Sequence, residues 1–388
     1  MIGWITSTVL LLWACGAMAQ EPIVVGAVIS QTGSQAPAAA EYRNGLQLWA
    51  EQVNAAGGLL GRKIELRLKD DTSQAARAGP AYAELIAGGA QVLIGPYGSA
   101  ATLTAAAEAE RGRRVLLNAA GLSSQVHRRS PRYVFQTAPA YSAYADGVLE
   151  VARAAGVQSV FIAARDDVAS REMAEAALAL AQARGFSQAQ LAVFAGSTED
   201  FLPELYQAMA MNADGWIGFG EVRDAADMVK TLKRHGYVPR ILYARASAQE
   251  RFLELVGQDA EAVLGSRDYD PGYVRNGNRA FVTAYAGKWS RQPGARAAAA
   301  YAAGTVLAEA VRRAGSVEAE KLRDVLAKME VETVLGLYRV DATGAQVGMK
   351  PAVVQIAKGR PRPVWPAELA DSRALEAFPA WSEREVLR

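Results

Sequence analysis

The sequence predicts an α/β protein built from two doubly wound units. Strand-like and helix-like segments alternate from residue 23 to residue 118. The alternation then restarts past residue 139 and runs to residue 244. The chain has 388 residues, 51% of them apolar, which is enough for two cores. Its 42 basic and 40 acidic residues leave no broad positive field, so no nucleic-acid partner is expected.

The first unit reads as strand 23–29, a helix carrying Tyr42, Leu46, Trp49 and Val53 at helical spacing, and a stop at Gly57-Gly58. Ile64, Leu66 and Leu68 alternate as a strand with one wet face. Helix 74–87, strand 91–95, helix 100–111 and strand 114–118 follow. This βα alternation is the mark of a parallel sheet covered on both faces. The second unit reads as helix 140–155, strand 157–163, helix 169–184, strand 189–194, helix 200–212, strand 215–219, helix 222–236 and strand 240–244. Segment 261–272, "EAVLGSRDYDPG", is short and polar and reads as a connector. Helices 274–290, 296–314 and 318–328 come next, then strands 333–340 and 352–357. Strands placed late in the chain, after three helices, suggest a return to the first unit and a renewed contact with the second.

Residues 1–19, "MIGWITSTVLLLWACGAMA", carry no charged side chain and end in Ala17-Met18-Ala19, the small-x-small pattern of a signal peptidase site. The expected location is therefore the periplasm, with cleavage before Gln20. A lipid attached at Cys15 is the rival reading, and Trp13 is bulky for that pattern. Cys15 is the only cysteine, so a mature chain cut after Ala19 has no disulfide or thiolate chemistry. His127 sits in the polar stretch "QVHRRSPR", and His235 follows Lys233-Arg234 at a helix end that suits a cation. Neither has carboxylates at ligand spacing, so no metal site and no cofactor is implied.

The stretch "GPYGSAATLT", residues 95–104, joins a strand to a helix and carries Ser99 on the turn. Ser99 can cap the helix, attack as a nucleophile, or hold a ligand. A nucleophile needs a base in reach, and Gly-x-Ser-x-Gly is absent, since Ala100 and Ala101 follow Ser99. In a parallel sheet, ligands meet the carboxyl ends of strands, where helix N-termini point. Free N–H groups at Ala100 and Ala101 can face an anion there, and Gly98 lets the backbone come close. The next strand ends in Ala119-Ala120-Gly121 and offers a second set of backbone groups. Tyr97 and Tyr269 are strand-end aromatics able to stack on a ligand; Phe219 and Tyr243 hold similar places.

The order of these elements, with "SQTGSQA", Asn54-Ala55-Ala56-Gly57-Gly58, Asp70-Asp71, "VLIGPYGSAAT", "AGSTEDF", "VLGLYRVDATG" and the closing Trp365-Pro366 and Trp381, resembles the periplasmic solute-binding proteins of branched-chain amino-acid ABC importers, the leucine/isoleucine/valine-binding type. The resemblance implies the type I periplasmic binding fold, two lobes joined by three crossings with the ligand between them. It implies lobe 1 at 21–137 plus 270–333 and lobe 2 at 138–266 plus 337–388. It also implies that Ser99 contacts a ligand carboxylate, and that the partners are a small amino acid or organic acid, an ABC permease and its ATPase. A monomer is expected.

The departures from that family bear on the ligand. Gly121 stands where an ammonium-binding threonine is usual, and Arg245 stands at or near the place of an acid in lobe 2. Ala169 and Ser170 replace a lobe 2 aromatic, and Glu221 replaces another. A cation at Arg245 repels an ammonium and attracts a carboxylate, which points to an acid that need not carry an α-amino group. Glu221 could pair with Arg245 or accept a ligand donor. An enzyme is not expected: the first strand lacks G-x-G-x-x-G, and no Walker motif, zinc signature or triad is visible. A sensor of the same fold acting on a signalling partner is the alternative.

Overall fold

A computed structural model describes residues 20–375 and 377–383; the leader read at 1–19, with Cys15, lies outside the described residues. The first lobe opens with β1 (Ile23–Val28), α1 (Ala36–Ala55), β2 (Ile64–Lys69), α2 (Ala75–Ala87), β3 (Val92–Ile94), α3 (Ser99–Gly112), β4 (Leu116–Asn118) and β5 (Val134–Gln136). The sheet order is β2-β1-β3-β4-β5, with every pairing parallel. β1 is buried on both faces: Ile23, Val25 and Ala27 point into one core, Val24 and Val28 into the other. β5 has no counterpart in the sequence reading. Three residues are too few to show a period, and pairing with β4 is what makes them a strand.

The second lobe contains α4 (Ala143–Ala154), β6 (Ser159–Arg165), α5 (Val168–Ala183), β7 (Gln188–Phe194), α6 (Leu202–Ala210), β8 (Gly215–Phe219), α7 (Val222–Arg234), β9 (Ile241–Ala244), α8 (Glu250–Val256) and β10 (Leu264–Arg267). The chain then returns to the first lobe with α9 (Asn278–Trp289), α10 (Ala295–Ala314), α11 (Ala319–Leu326), β11 (Val331–Thr333) and β12 (Gly336–Tyr338). It ends on the second lobe with β13 (Ala352–Ala357) and β14 (Arg360–Trp365), giving the order β14-β13-β10-β9-β8-β6-β7. β13 and β14 run antiparallel to their neighbours and close one edge of an otherwise parallel sheet.

Three expectations change. The connector at 261–272 contains β10, a sheet strand between β9 and β13. The strand expected over 333–340 is a hairpin: Gly336, at φ +120°, turns the chain so that Val331 pairs with Tyr338. Tyr338 and Met349 pack in the first lobe's core, so the last crossing falls between Met349 and Ala352 rather than at 333–337.

α10 matters for the site because it lies directly against α1. A Cβ added to Gly45 would stand 2.1 Å from the Ala297 carbonyl oxygen, and one on Gly304 would stand 2.2 Å from the Trp49 ring. The two helix backbones therefore touch, and this contact fixes where α10 begins.

Candidate functional site

The strand ends of both sheets face a cleft of about 650 Å³ between the lobes. Lobe 1 supplies Tyr97 and Gly98 after β3, Ala119 and Ala120 after β4, Gln35 just before α1 and Tyr42 within it, and Ala295, Arg296 and Ala299 from α10. Lobe 2 supplies Tyr144 from α4, Arg245 and Ala248 after β9, and Ser266, Arg267 and Asp268 at the end of β10. Tyr141 and Tyr269 line it at two of the crossings. Gly98 has φ +95° and open space beside its Cα, so the backbone there comes bare to the cleft. Tyr42 stands on the cleft floor and donates its hydroxyl to the Gly95 carbonyl at 2.9 Å. Tyr269 is nearly buried and donates its hydroxyl to Asn278 at 2.7 Å.

Arg245 is the most unusual of these side chains. Its guanidinium lies over the Tyr144 ring at 5.0 Å, and its Nε is buried with no hydrogen-bond partner. Tyr144 in turn donates its hydroxyl to Asp268 at 2.6 Å. Burial opposes the arginine's charge, but Tyr144, Asp268 and Tyr243 outweigh that and raise its pKa above the ordinary value. Tyr243 shares a hydrogen bond with Ser266 at 2.7 Å, and burial pushes its phenol up to about 12. The lobe 2 wall is thus a fixed cation flanked by neutral phenols and one carboxylate. From lobe 1, Arg296 donates its Nε to the Tyr97 hydroxyl at 3.1 Å and lies 5.6 Å over that ring, with Glu41 3.8 Å away.

The structure brings Tyr97, Gly98, Ala119, Ala120, Arg245 and Tyr269 to one cleft. Ser99 sits beside it, as the first residue of α3. The residue preceding the helix is Gly98, and no side chain caps this end, so the capping role does not hold. The Ser99 hydroxyl instead accepts the Ser123 N–H at 3.2 Å and bonds Tyr141. Gly121 is folded onto Asn118, donating its N–H to the amide oxygen at 2.8 Å, and packs against Thr102. Ser170 is buried and bonded to Asp167 through both its N–H and its hydroxyl, at 2.9 Å each; Ala169 precedes it in the first turn of α5. Glu221 opens α7 with its carboxylate exposed and 4.0 Å from Arg165, not Arg245. Arg165 itself is held by Asp224 at 3.1 Å. His127, read as part of a polar loop, is buried and bonded through Nδ1 to the Thr343 carbonyl oxygen at 3.0 Å. Among the described residues no group of three His, Cys, Asp or Glu could hold a metal.

The profile of the periplasmic binding protein family matches residues 22–361. The chain belongs to that family. It is a solute-binding protein rather than an enzyme, it works outside the cytoplasmic membrane, and its fold is the type I periplasmic binding fold. An amino acid binding protein from Pseudomonas aeruginosa is 23% identical over 332 residues, covering 83% of this chain and 87% of the relative. A solved ABC transporter substrate-binding protein from Desulfitobacterium hafniense in complex with Leu is 22% identical, with a TM-score of 0.70 over 89% of this chain and 100% of that one. A solute-binding protein from R. palustris in complex with benzoate is 18% identical, with a TM-score of 0.68 over 94% and 99%.

The cleft of this binding protein is also lined by residues that its sequence does not flag. Asp268 falls in the segment read as a connector; had β10 been legible, Asp268 would have stood at a strand's carboxyl end, where cleft residues gather. Arg296 had a usable signal. It is a cation in the first turn of an alanine-rich helix, where the dipole disfavours it.

Proposed function

We propose that this protein is the solute-capturing component of an ABC importer: in the periplasm it takes a small organic acid into its cleft and hands it to a membrane permease and its ATPase. It acts as a monomer whose lobes close by hinge motion. The observation that carries the ligand class is Arg245. A guanidinium that bonds Tyr144 but keeps a buried, unpartnered Nε costs free energy until an acceptor arrives. A carboxylate meets that need with two parallel hydrogen bonds, and the tyrosines and alanines around it accept an apolar body. Leucine and benzoate, the ligands named for two solved relatives, both carry a carboxylate, which supports the reading.

Asp268 favours a second reading, an α-amino acid whose ammonium meets that carboxylate. Its hydrogen bond from Tyr144 and its nearness to Arg245 weigh against it. Titration calorimetry with hexanoate, benzoate, 4-methyl-2-oxopentanoate, leucine and valine decides between them. We expect an amine-free acid to bind most tightly. We also expect Arg245→Gln to weaken it roughly 100-fold with the fold intact by circular dichroism. Leucine or valine binding most tightly, with that binding lost in Asp268→Asn, would establish the amino-acid reading. Uptake of the acid by cells, lost on deletion and restored by the native chain alone, tests the importer role.

A further inference from the structure

Ser99 stands in the middle of a hydrogen-bond chain that runs from the contact between the lobes to the cleft. At one end, the Ser123 hydroxyl accepts the Gln125 N–H at 3.2 Å and gives its own proton to Glu172, on α5 of lobe 2. Ser123 also donates its backbone N–H to the Ser99 hydroxyl oxygen at 3.2 Å. Ser99 keeps one proton to donate, and Tyr141 is its other partner. That bond lowers the phenol's pKa, as a bond donated to the phenol oxygen does.

Tyr141 lies on the first crossing, between β5 and α4, and lines the cleft. Its backbone N–H is held by the Leu122 carbonyl at 3.2 Å, which ties the crossing to the segment that carries Ser123. Burial raises the phenol above its ordinary value; Glu172 adds to the rise, while Ser99 and Arg245 oppose it. The hydroxyl is therefore protonated at neutral pH, and Arg245 and Glu172 are both near enough to act on it. With the phenol oxygen accepting from Ser99, its own proton is left for an acceptor in the cleft.

We infer that Tyr141 donates this proton to the ligand's carboxylate, and that Ser99 is a positioning residue that couples the filled cleft to the Glu172 contact between the lobes. The inference rests on the reading that a carboxylate enters beside Arg245, and it names how that event favours closure. The donors all point one way: Ser123 N–H to Ser99, Ser99 to Tyr141, Tyr141 to the ligand. A charged acceptor at the end of such a chain polarises each donor before it and strengthens every bond. Ser123 is thereby held where its hydroxyl meets Glu172. The two-state element is the pair of lobes, and both the ligand and Glu172 bias it toward the closed form. By linkage, closed lobes hold the ligand more tightly. Ser99 thus serves the carboxylate through Tyr141 rather than by touching it.

The test is a double-mutant cycle read by calorimetry on the full mature chain. The probe is the tightest binder among hexanoate, benzoate, 4-methyl-2-oxopentanoate, leucine and valine. We expect Tyr141→Phe and Glu172→Ala each to weaken it roughly tenfold. The double variant should lose less than the product of the two, by at least roughly threefold. Ser99→Ala should weaken the probe and abolish the coupling, so that in its background the two losses multiply. Ser99→Thr keeps the hydroxyl and should restore the coupling. Losses that multiply in the native background, a coupling that survives Ser99→Ala, or an unchanged affinity in Tyr141→Phe overturns the inference and leaves Arg245's role standing. Leucine or valine as the tightest probe overturns the amine-free reading and leaves the cycle to be read, since both carry a carboxylate. If nothing in the panel binds, both readings fall together. Circular dichroism checks each fold; should Ser99→Ala unfold, the cycle of Tyr141 and Glu172 in the native chain decides alone.

Discussion

One carboxylate oxygen of Glu172, on α5 of the second lobe, accepts the backbone N–H of Ser124 in the first lobe at 2.8 Å, while its other oxygen takes the hydroxyl of Ser123. Ser123 donates its own N–H to the Ser99 hydroxyl, so Ser99 is tied to the contact that joins the two lobes. A bond that joins the two lobes without touching the ligand shifts the open–closed balance and leaves ligand preference untouched. We expect Glu172→Ala to weaken every ligand by the same factor, roughly tenfold, and to raise the radius of gyration of the ligand-bound form in small-angle scattering. A loss confined to one ligand would show that Glu172 recognises the ligand instead.

Tyr144 links the two charges of the lobe 2 wall, with Arg245 over its ring and Asp268 on its hydroxyl. Tyr144→Phe keeps the ring and removes the hydroxyl. The expected result is a loss of roughly fivefold to thirtyfold in acid affinity, on the scale of one buried hydrogen bond. Calorimetry reads it directly, and an unchanged affinity would mean that the ring alone positions the guanidinium.

The contact of α1 with α10 holds Arg296 in place from a distance. Gly45→Val forces a side chain into the Ala297 backbone, where no flexible neighbour can yield. We expect a loss of about 2–3 kcal/mol in urea unfolding. Gly287→Ala, on α9 with open space beside its Cα, serves as the control and should stabilise slightly, by up to about 1 kcal/mol.

His127 is buried under the turn that carries Thr343, and its Nε2 has no partner. Burial lowers its pKa below the ordinary 6.5; the Thr343 carbonyl and Asp341 oppose this only in part. The unfolded chain therefore takes up the proton first as pH falls. The contribution of the neutral ring is present above pH 6.5 and is lost as pH drops below it, toward the folded-state value. Urea midpoints measured from about pH 7.5 to about pH 5 should fall across this window in the native chain. The slope should flatten in His127→Gln; an equal slope in both would assign it to other groups.

The order of strands and helices was legible because each rests on a local period. Tyr42, Leu46, Trp49 and Val53 mark a buried helix face, and β1 reads as an unbroken apolar run. Arg245, Tyr97 and the Gly98 turn were legible as well, since strand-to-helix turns in a parallel sheet face one end. β5, β10 and the hairpin at Gly336 were not, because three or four residues carry no period and only their partners make them strands. Tertiary structure alone decided that Arg245, Asp268 and Arg296 share one cleft, that Glu221 stands by Arg165, and that Glu172 reaches Ser123 across the lobes. Contacts between residues so far apart in the chain depend on how two sheets and their crossings are oriented, and nothing in a residue's immediate neighbours records that orientation.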